Sequence, residues 1–271
     1  MMTKLLIIGA GRMAEAVISG LVNKKNSTIQ CDDIMVGNKS DKERLHYLKN
    51  TYSVKITTDW ETEIVHSDVL LIASPPETHE TMASIIKDKI SGQLVITVAA
   101  GIDPSYLEKR LVPGTPVCWI MPNTAAQLGQ SMSIYTCGQN VSSEHRTIID
   151  MILSSIGEAE ELSEQQVHDL TAITGSAPAF FYTFVQALET AAQDYGISKG
   201  QARNLVIKMV RGSVTMLENG GEPEELIAQV ASPGGSTAKG LEVLEESHFK
   251  RILLESVKAT NKHARSQGDK V

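Results

Sequence analysis

The chain of 271 residues has few aromatic residues, few cysteines and no long hydrophobic run. Its three cysteines (Cys31, Cys118 and Cys137) are far apart and lack metal-ligand spacing. This pattern excludes a disulfide framework, and we expect reduced thiols, no metal and a cytoplasmic location. No apolar stretch reaches the roughly 18–20 residues that span a bilayer. The apolar start at 5–8 is too short for a signal peptide.

Positive charge is also scarce, because the formal net charge is −7 and no long basic run is present. A nucleic-acid partner needs a basic face that neutralises phosphates, so we expect none. The composition does contain 42% hydrophobic residues. A chain of this length and composition is expected to form two domains, each with its own core.

A glycine-rich turn near the N-terminus is the most informative motif. The segment Gly9-Ala10-Gly11-Arg12-Met13 follows an apolar run of strand length and precedes a helical pattern that begins with Ala14. This spacing is typical of the turn that binds the pyrophosphate of a dinucleotide, with the helix N-terminus favouring the anion. An ordinary strand–turn–helix is the structural alternative. We assign residues 9–13 to a cofactor site.

The residues after the second strand indicate which dinucleotide binds. NAD-specific sites usually carry an acid there, whereas this chain has Asn38-Lys39-Ser40. These side chains suit a 2′-phosphate, so we expect NADPH, with NADH as the alternative because Asp41 is close by. The strand ends at Ala73-Ser74 and at Ala100 are expected to lie beside the nicotinamide half.

The two halves of the chain differ in periodicity. Strands alternating with helical patterns predict a Rossmann-like, doubly wound parallel sheet over residues 1–162. From 163 to 271, apolar residues recur every three or four positions, which predicts an all-helical domain with helix starts at two capping boxes, Ser163 to Gln166 and Ser198 to Gln201. The predicted strands are 4–8, 34–36, 54–56, 69–72, 94–98, 117–120, 131–135 and 158–162. The helices predicted in the second half are 164–173, 177–195, 199–219, 223–230, 237–246 and 249–266.

Three further segments, which we interpret as loops, carry a resemblance to a known family. They are Met121-Pro122-Asn123-Thr124, the run 174–180 (TGSAPAF) and the run 232–237 (SPGGST). Together with the N-terminal GAGRMA, they resemble the pyrroline-5-carboxylate reductase family across nearly the whole chain. We also assign Asn123 to the cofactor site.

The resemblance implies NAD(P)H-dependent reduction of 1-pyrroline-5-carboxylate to L-proline, the last step of proline biosynthesis. It implies a homodimer formed through the helical C-terminal domain, with higher oligomers in some members. It also implies a substrate site near the dimer interface, between the nicotinamide ring and the C-terminal helices. The site residues it implies are Glu164, Ser176, Gly234, Gly235, Ser236 and Thr237.

The run SPGGST has chemistry that suits such a role. Two glycines after a proline, just before a helix, present several backbone N–H groups toward one point, which can hold a carboxylate. A proline–glycine turn capped by Ser236 or Thr237 is the structural alternative. By the resemblance, the backbone of 234–237 binds the substrate carboxylate and the Thr237 hydroxyl bonds the ring nitrogen, while Ser176 assists and Glu164 contacts substrate.

Two departures from the family pattern keep other functions open. Many members carry a lysine where this chain has Ser74, and Trp60 lies where a polar residue is common. A regulatory NADP(H)-binding paralogue, or a related imine reductase for another small carboxylate, therefore remains an alternative. The histidines suggest no catalytic arrangement: His168 is expected to be solvated or in the core, and four others fit exposed helix positions (His79, His145, His248 and His263).

Overall fold

The protein is described by a computed structural model that covers residues 3–23 and 29–268, apart from the side chains of residues 31, 267 and 268; the predicted thiol of Cys31 lies outside it. The chain divides into two compact units, one formed by residues up to 176 together with those from 259, the other by residues 177–258. The predicted domain boundary, after residue 162, is where the helical half begins and stays a prediction.

An eight-stranded sheet forms the centre of the first unit, in the order β3-β2-β1-β4-β5-β6-β7-β8. Only the β6–β7 pair is antiparallel. All eight predicted strands are confirmed, with ends displaced by no more than two residues. The strands are β1 (Leu5–Ile8), β2 (Ile34–Gly37), β3 (Lys55–Thr57), β4 (Val69–Ile72), β5 (Leu94–Thr97), β6 (Val117–Met121), β7 (Ser131–Cys137) and β8 (Gly157–Glu161).

Helices cover both faces of this sheet, which explains why β1 and β4 are apolar at every position. Along β1, Leu5 and Ile7 pack into one hydrophobic cluster, whereas Leu6 and Ile8 pack into another. Alternate side chains point to opposite faces of a strand, so both faces are buried, as in doubly wound folds. The helices are α1 (Arg12–Asn23), α2 (Lys42–Tyr52), α3 (Trp60–Glu63), α4 (His79–Lys87), α5 (Pro104–Arg110) and α6 (Ser143–Ile156).

The strand order places β1 between β2 and β4. The chain therefore leaves β1 toward one edge of the sheet for β2 and β3, and continues from β4 toward the other edge. Loops that follow β1 and β4 diverge at this point and open a crevice at the carboxyl ends of the strands, where ligands bind in doubly wound sheets.

The second half is helical, as predicted. Both predicted capping boxes are present, because Ser163 and Ser198 each accept a hydrogen bond from the backbone N–H three residues on. The helices are α7 (Glu164–Thr171), α8 (Ala177–Asp194), α9 (Lys199–Glu218), α10 (Pro223–Val230), α11 (Ser236–Glu246) and α12 (Phe249–Gly268). In the second unit, the carboxylate of Glu189 on α8 is buried and paired with Arg203 on α9.

One expectation about these helices is wrong. The first part of the segment 174–180, residues 174–176 ahead of the helix predicted from 177, was interpreted as a loop, but the segment contains no break: a turn of π-helix, Ala172–Ser176, joins α7 to α8. The glycine and proline of this segment widen a helical turn instead of ending the helix. Within the described residues, no helix has the length and apolar character needed to cross a membrane.

Candidate active site

A cleft of about 1280 Å³ opens at the carboxyl ends of β1, β2, β4 and β5. Every residue predicted to bind the cofactor lines this cleft, with the exception of Asn123. The structure thus brings together four loops that are far apart in sequence. The predicted residues that line it are Gly9, Ala10, Gly11, Arg12, Met13, Asn38, Lys39, Ser40, Ala73, Ser74 and Ala100.

The two glycines of the turn after β1 have different roles. Gly9 has a φ of +113°, and a Cβ added to it would lie 2.7 Å from the carbonyl oxygen of Ala73, so only glycine fits. A Cβ added to Gly11 would meet no atom within 4 Å. That open space adjoins the N-terminus of α1, whose N–H groups are free donors for an anion. The turn therefore fits the pyrophosphate of a dinucleotide.

The loop after β2 is ordered by Asn38. Its Oδ1 accepts hydrogen bonds from the backbone N–H of Ser40 at 2.9 Å and of Asp41 at 3.1 Å, and from the Ser40 hydroxyl at 3.2 Å. Asp41 in turn caps α2 by accepting from Arg44 N at 2.8 Å. The Asn38 carbonyl is thus occupied in shaping the loop, whereas its amide N–H groups are free of partners in the described structure.

Lys39 lies beside an acid that sequence reasoning missed. Its ammonium pairs with the carboxylate of Glu61 and lies 5.4 Å from the centre of the Trp60 ring. The hydrogen bond from Lys39 lowers the pKa of Glu61. Because Glu61 neutralises part of the charge on Lys39, the attraction of this loop for a 2′-phosphate is weaker than Lys39 alone would provide.

Arg44 lines the cleft and is a second residue, after Glu61, that the sequence analysis did not identify. Its Nε donates to the carbonyl of Ala10 at 2.9 Å, and its guanidinium pairs with Glu15, which also accepts from the Tyr52 hydroxyl at 3.1 Å. Burial would raise the pKa of Glu15, but the hydrogen bonds from Arg44 and Tyr52 outweigh it and lower the pKa. Arg44 thereby holds the glycine turn against α2. A single arginine on a helix carries no signal of this contact.

Ser74, at the position where the resemblance leads us to expect a lysine, has its hydroxyl turned along the β4–α4 loop. It donates to the sulfur of Met82 at 3.1 Å and accepts from the Thr78 hydroxyl at 3.0 Å. Thr78 lines the cleft as well. This side of the cleft therefore presents uncharged hydroxyl groups where a lysine would place a positive charge.

Asn123 lies outside the cleft lining and connects β6 to the π-helical turn. Its Nδ2 donates to the carbonyl of Thr174 at 3.0 Å. Pro178, four residues after Thr174, has no N–H to bond that carbonyl, so the carbonyl is available to Asn123. This bond holds the turn that carries Ser176. Its assignment to the cofactor site stays a prediction.

Glu164 lies at the first turn of α7 and contacts the first turn of α5. Its Oε2 accepts from the backbone N–H of Ser105 at 3.1 Å and from the Ser105 hydroxyl at 3.0 Å. One turn later, His168 Nε2 lies 2.8 Å from Oδ2 of Asp103, the N-cap of α5. Glu164 thus joins two helices, and the substrate contact implied for it stays a prediction.

The SPGGST run lies in the second unit, ahead of α11. Gly234 has a φ of +74°, and the N–H of Gly235 donates to the carbonyl of Ser232 at 2.9 Å, closing a tight turn. Gly235 is the N-cap of α11 and no side chain caps this helix. The first N–H groups of α11, at the exposed residues Ser236 and Thr237, therefore remain available to an external acceptor. A carboxylate is the acceptor that such a helix start favours.

The doubly wound sheet and its glycine turn define this chain as a dinucleotide-binding protein of the Rossmann class. Residues 4–101 match the family model for NADP oxidoreductases, coenzyme F420-dependent, and residues 164–267 match the model for pyrroline-5-carboxylate reductase dimerisation. Pyrroline-5-carboxylate reductase 2 of Bacillus subtilis is 33% identical over 97% of this chain and 94% of the relative. The chain belongs to the pyrroline-5-carboxylate reductase family.

Solved structures agree with this relationship. The pyrroline carboxylate reductase of Plasmodium falciparum, determined with NADP bound, is 28% identical and superposes with a TM-score of 0.90 over 98% of each chain. The 1-pyrroline-5-carboxylate reductase of Streptococcus pyogenes is 29% identical and superposes with a TM-score of 0.88, over 97% of this chain and 98% of that one. The similarity therefore extends over both compact units.

The two glycines of the turn should respond differently to substitution. We expect Gly9→Ala to lower the free energy of unfolding by ~2–4 kcal/mol, because its methyl group meets the Ala73 carbonyl at a positive φ. Gly11→Ala should leave stability nearly unchanged and weaken NADP⁺ binding about tenfold, equal to ~1.4 kcal/mol. Urea unfolding and titration calorimetry measure the two quantities. Equal effects of both substitutions on stability would contradict the distinction.

The contact between Lys39 and Glu61 makes a prediction about cofactor preference. Glu61→Gln removes the competing charge, so we expect NADP⁺ to bind about two- to fivefold more tightly while the affinity for NAD⁺ changes less than about twofold. Glu63→Gln removes the same charge from the same helix, away from the cleft, and is the matched control. Calorimetric titrations with both dinucleotides measure the two affinities. An equal increase in the affinity for NAD⁺ would show that Glu61 does not act through the 2′-phosphate.

Proposed function

We propose that this protein is a pyrroline-5-carboxylate reductase, which reduces the C=N bond of 1-pyrroline-5-carboxylate to give L-proline. The main support for the proposal is that one chain of this family contains both a dinucleotide-binding turn and, within the run SPGGST, the start of α11 without a side-chain cap. The first site binds a hydride donor and the second suits a small carboxylate. We place this reaction in proline biosynthesis, in the cytoplasm. The thiols of Cys118 and Cys137 face each other at 4.0 Å without forming a disulfide, which is consistent with a reducing compartment.

The cofactor is NADP(H). When bound, the reduced nicotinamide supplies the hydride. The glycine turn and the start of α1 receive the pyrophosphate, and the loop Asn38–Ser40 receives the 2′-phosphate with Lys39 as its positive charge. Ala73, Ser74 and Ala100 lie at the ends of β4 and β5, where small side chains leave room for a flat ring.

The substrate carboxylate binds in the turn at residues 234–237, at the free backbone N–H groups of Ser236 and Thr237, since the Gly235 N–H already donates to the Ser232 carbonyl. The Thr237 hydroxyl bonds the ring nitrogen. Ser176 and Glu164 complete the contacts to substrate. A hydroxyl group is too weak an acid to be a strong proton source alone. We therefore infer that the imine binds in its protonated form or receives its proton through water, and that Thr237 orients the nitrogen.

The protein acts as a homodimer through its C-terminal helices. Two of these helices, α10 and α11, bury none of their residues in the isolated chain. Apolar side chains of the second unit are left exposed, among them Tyr182, Leu205 and Val230 at 58–68%. The apolar face of an amphipathic helix normally packs against another element, and a surface rich in exposed apolar side chains is typical of a protein interface. The family model that matches residues 164–267 is one for dimerisation, which supports a second copy of the same chain as the partner.

The direct test of the activity uses the purified protein with 1-pyrroline-5-carboxylate, following the oxidation of NADPH and of NADH separately. We expect turnover with both, and a higher kcat/KM with NADPH because Lys39 faces the 2′-phosphate. NADPH binding without turnover would replace this proposal by a regulatory role. Turnover restricted to NADH would contradict the assignment of Asn38–Ser40 to a phosphate.

Thr237 tests the substrate half of the site. Thr237→Ala should lower kcat at least about tenfold, while the dissociation constant for NADP⁺ stays within about twofold of the wild type. Thr237→Ser keeps the hydroxyl group and is the matched control, with a kcat close to that of the wild type. Steady-state kinetics with calorimetric cofactor binding separate the two. Unchanged kinetics in the alanine variant would remove Thr237 from the reaction.

The oligomeric state tests the exposed helical face. The monomer has a mass of 29.4 kDa, and sedimentation velocity should show twice that value, or an even multiple of it. Because the interface is apolar, Leu205→Glu should shift the population toward the monomer. A wild-type protein that sediments as a monomer at micromolar concentration would contradict the dimer.

A further inference from the structure

His79 is a buried histidine that the proposed reaction does not use. It is the first residue of α4 and is 1% exposed, so the expectation of an exposed helix position is wrong. Its two ring nitrogens both have partners: Nδ1 lies 3.1 Å from the carbonyl oxygen of Pro75, and Nε2 lies 2.9 Å from the hydroxyl of Thr97. Pro75 lies in the loop after β4, and Thr97 is the last residue of β5. These are the two strands whose ends we assign to the nicotinamide half of the cofactor.

The chemistry of these partners determines which nitrogen carries the proton. A carbonyl oxygen only accepts, so Nδ1 of His79 is the donor to Pro75. Burial lowers the pKa of His79, and the neutral ring then has Nε2 as an acceptor. Thr97 must therefore donate its hydroxyl proton to His79, which leaves the lone pairs of the Thr97 oxygen free to accept.

The Thr97 oxygen uses this capacity to hold the next loop. It accepts from the backbone N–H of Ala99 at 3.2 Å. The carbonyl of Ala99 accepts from Nε1 of Trp119 at 2.8 Å. The backbone N–H and carbonyl of Ala99 are therefore both bonded to buried side chains, that of Thr97 at the end of β5 and that of Trp119 on β6. We refer to His79, Thr97, Ala99 and Trp119 as the buried hydrogen-bond chain.

The buried hydrogen-bond chain connects two loops that line the cleft. Pro75 belongs to the loop after β4, and Ala99 belongs to the loop after β5. The side chains that connect them, those of His79, Thr97 and Trp119, lie behind the cleft and do not line it. The bond between His79 and Thr97 fixes the separation of the two loops, because the buried Nε2 of His79 and the buried Thr97 hydroxyl would both be left unsatisfied if the loops moved apart.

We propose that His79 and Thr97 are positioning residues for the cofactor, which hold the loops at 73–76 and 98–100 at the separation the dinucleotide requires. The inference rests on the proposed function for the identity of the ligand. It assigns to these residues a role in binding that neither their burial nor their position on the sequence suggests. None of the residues assigned to the substrate belongs to the buried hydrogen-bond chain, so substrate affinity is the internal reference.

Thr97 offers a matched pair of variants. Thr97→Val replaces the hydroxyl by a methyl group of nearly the same volume, and breaks the bonds to His79 and to Ala99 together. Thr97→Ser keeps the hydroxyl and loses only the methyl group. We expect the valine variant to raise the dissociation constant for NADP⁺ and the KM for NADPH about fivefold. The serine variant should stay within about twofold of the wild type, and the KM for pyrroline-5-carboxylate should change less than about twofold in both.

A role limited to stability predicts another result. In that case Thr97→Val lowers the melting temperature but leaves NADP⁺ binding unchanged at temperatures where the variant is folded, and this outcome would overturn the proposal. If Thr97→Val does not fold, Trp119→Phe removes the donor on the other side of Ala99. It should then raise the NADP⁺ dissociation constant while the circular dichroism stays native, and unchanged binding would again overturn the proposal.

Measuring binding and turnover separately distinguishes this inference from the proposed function. A wild-type protein that binds NADP⁺ without reducing pyrroline-5-carboxylate would contradict the reductase and leave the comparison of binding constants decisive for His79 and Thr97. A wild-type protein that binds neither NADP⁺ nor NAD⁺ would contradict both.

Discussion

Gly9 and Ala73 approach each other so closely, at the carboxyl ends of the two central strands, that no side chain fits between them. This contact lets the chain turn away from β1 at a positive φ and enter α1 with its first N–H groups facing the crevice. The strand order then places the loops after β2, β4 and β5 around the same point. A larger residue at position 9 would push β1 away from the loop after β4, and the two loops that line the cleft there would no longer be in contact.

Two cations of the cleft, Lys39 and Arg44, are each paired with a carboxylate, which limits what they contribute to binding. Arg44 is paired with Glu15 and bonded to Ala10, so its main effect is to hold the glycine turn. Lys39 is paired with Glu61 but remains half exposed, so it can still meet a phosphate. Since surface ion pairs contribute little to stability, the second pair matters more for cofactor preference than for the fold. The hydroxyl groups around Ser74 add no charge on the opposite side.

Sequence reasoning located the cleft residues because each belongs to a local pattern. The glycine turn, the strand ends and the capping boxes are recognisable from neighbouring residues alone, and the structure confirms the strands and helices they predict. It failed where a side chain depends on a distant partner. His79 was interpreted as exposed because it fits an exposed helix position. It is buried, and its ring nitrogens are bonded to the carbonyl of Pro75 and the hydroxyl of Thr97. Residues 174–176, ahead of the helix predicted from 177, were interpreted as a loop because proline and glycine interrupt most helices. Here Gly175 and Pro178 only widen the helix into a π turn.

The sequence by itself determined the class of fold, the position of the dinucleotide turn and the family, since periodicity, capping and short motifs are local properties of the chain. Only the tertiary structure decided the partners of Lys39, Glu164 and Asn123. These are Glu61, Ser105 and Thr174, which lie 22 to 59 residues away along the chain. Such contacts depend on strand order and on the packing of helices across the sheet, and neither is encoded in the spacing of residues within one segment.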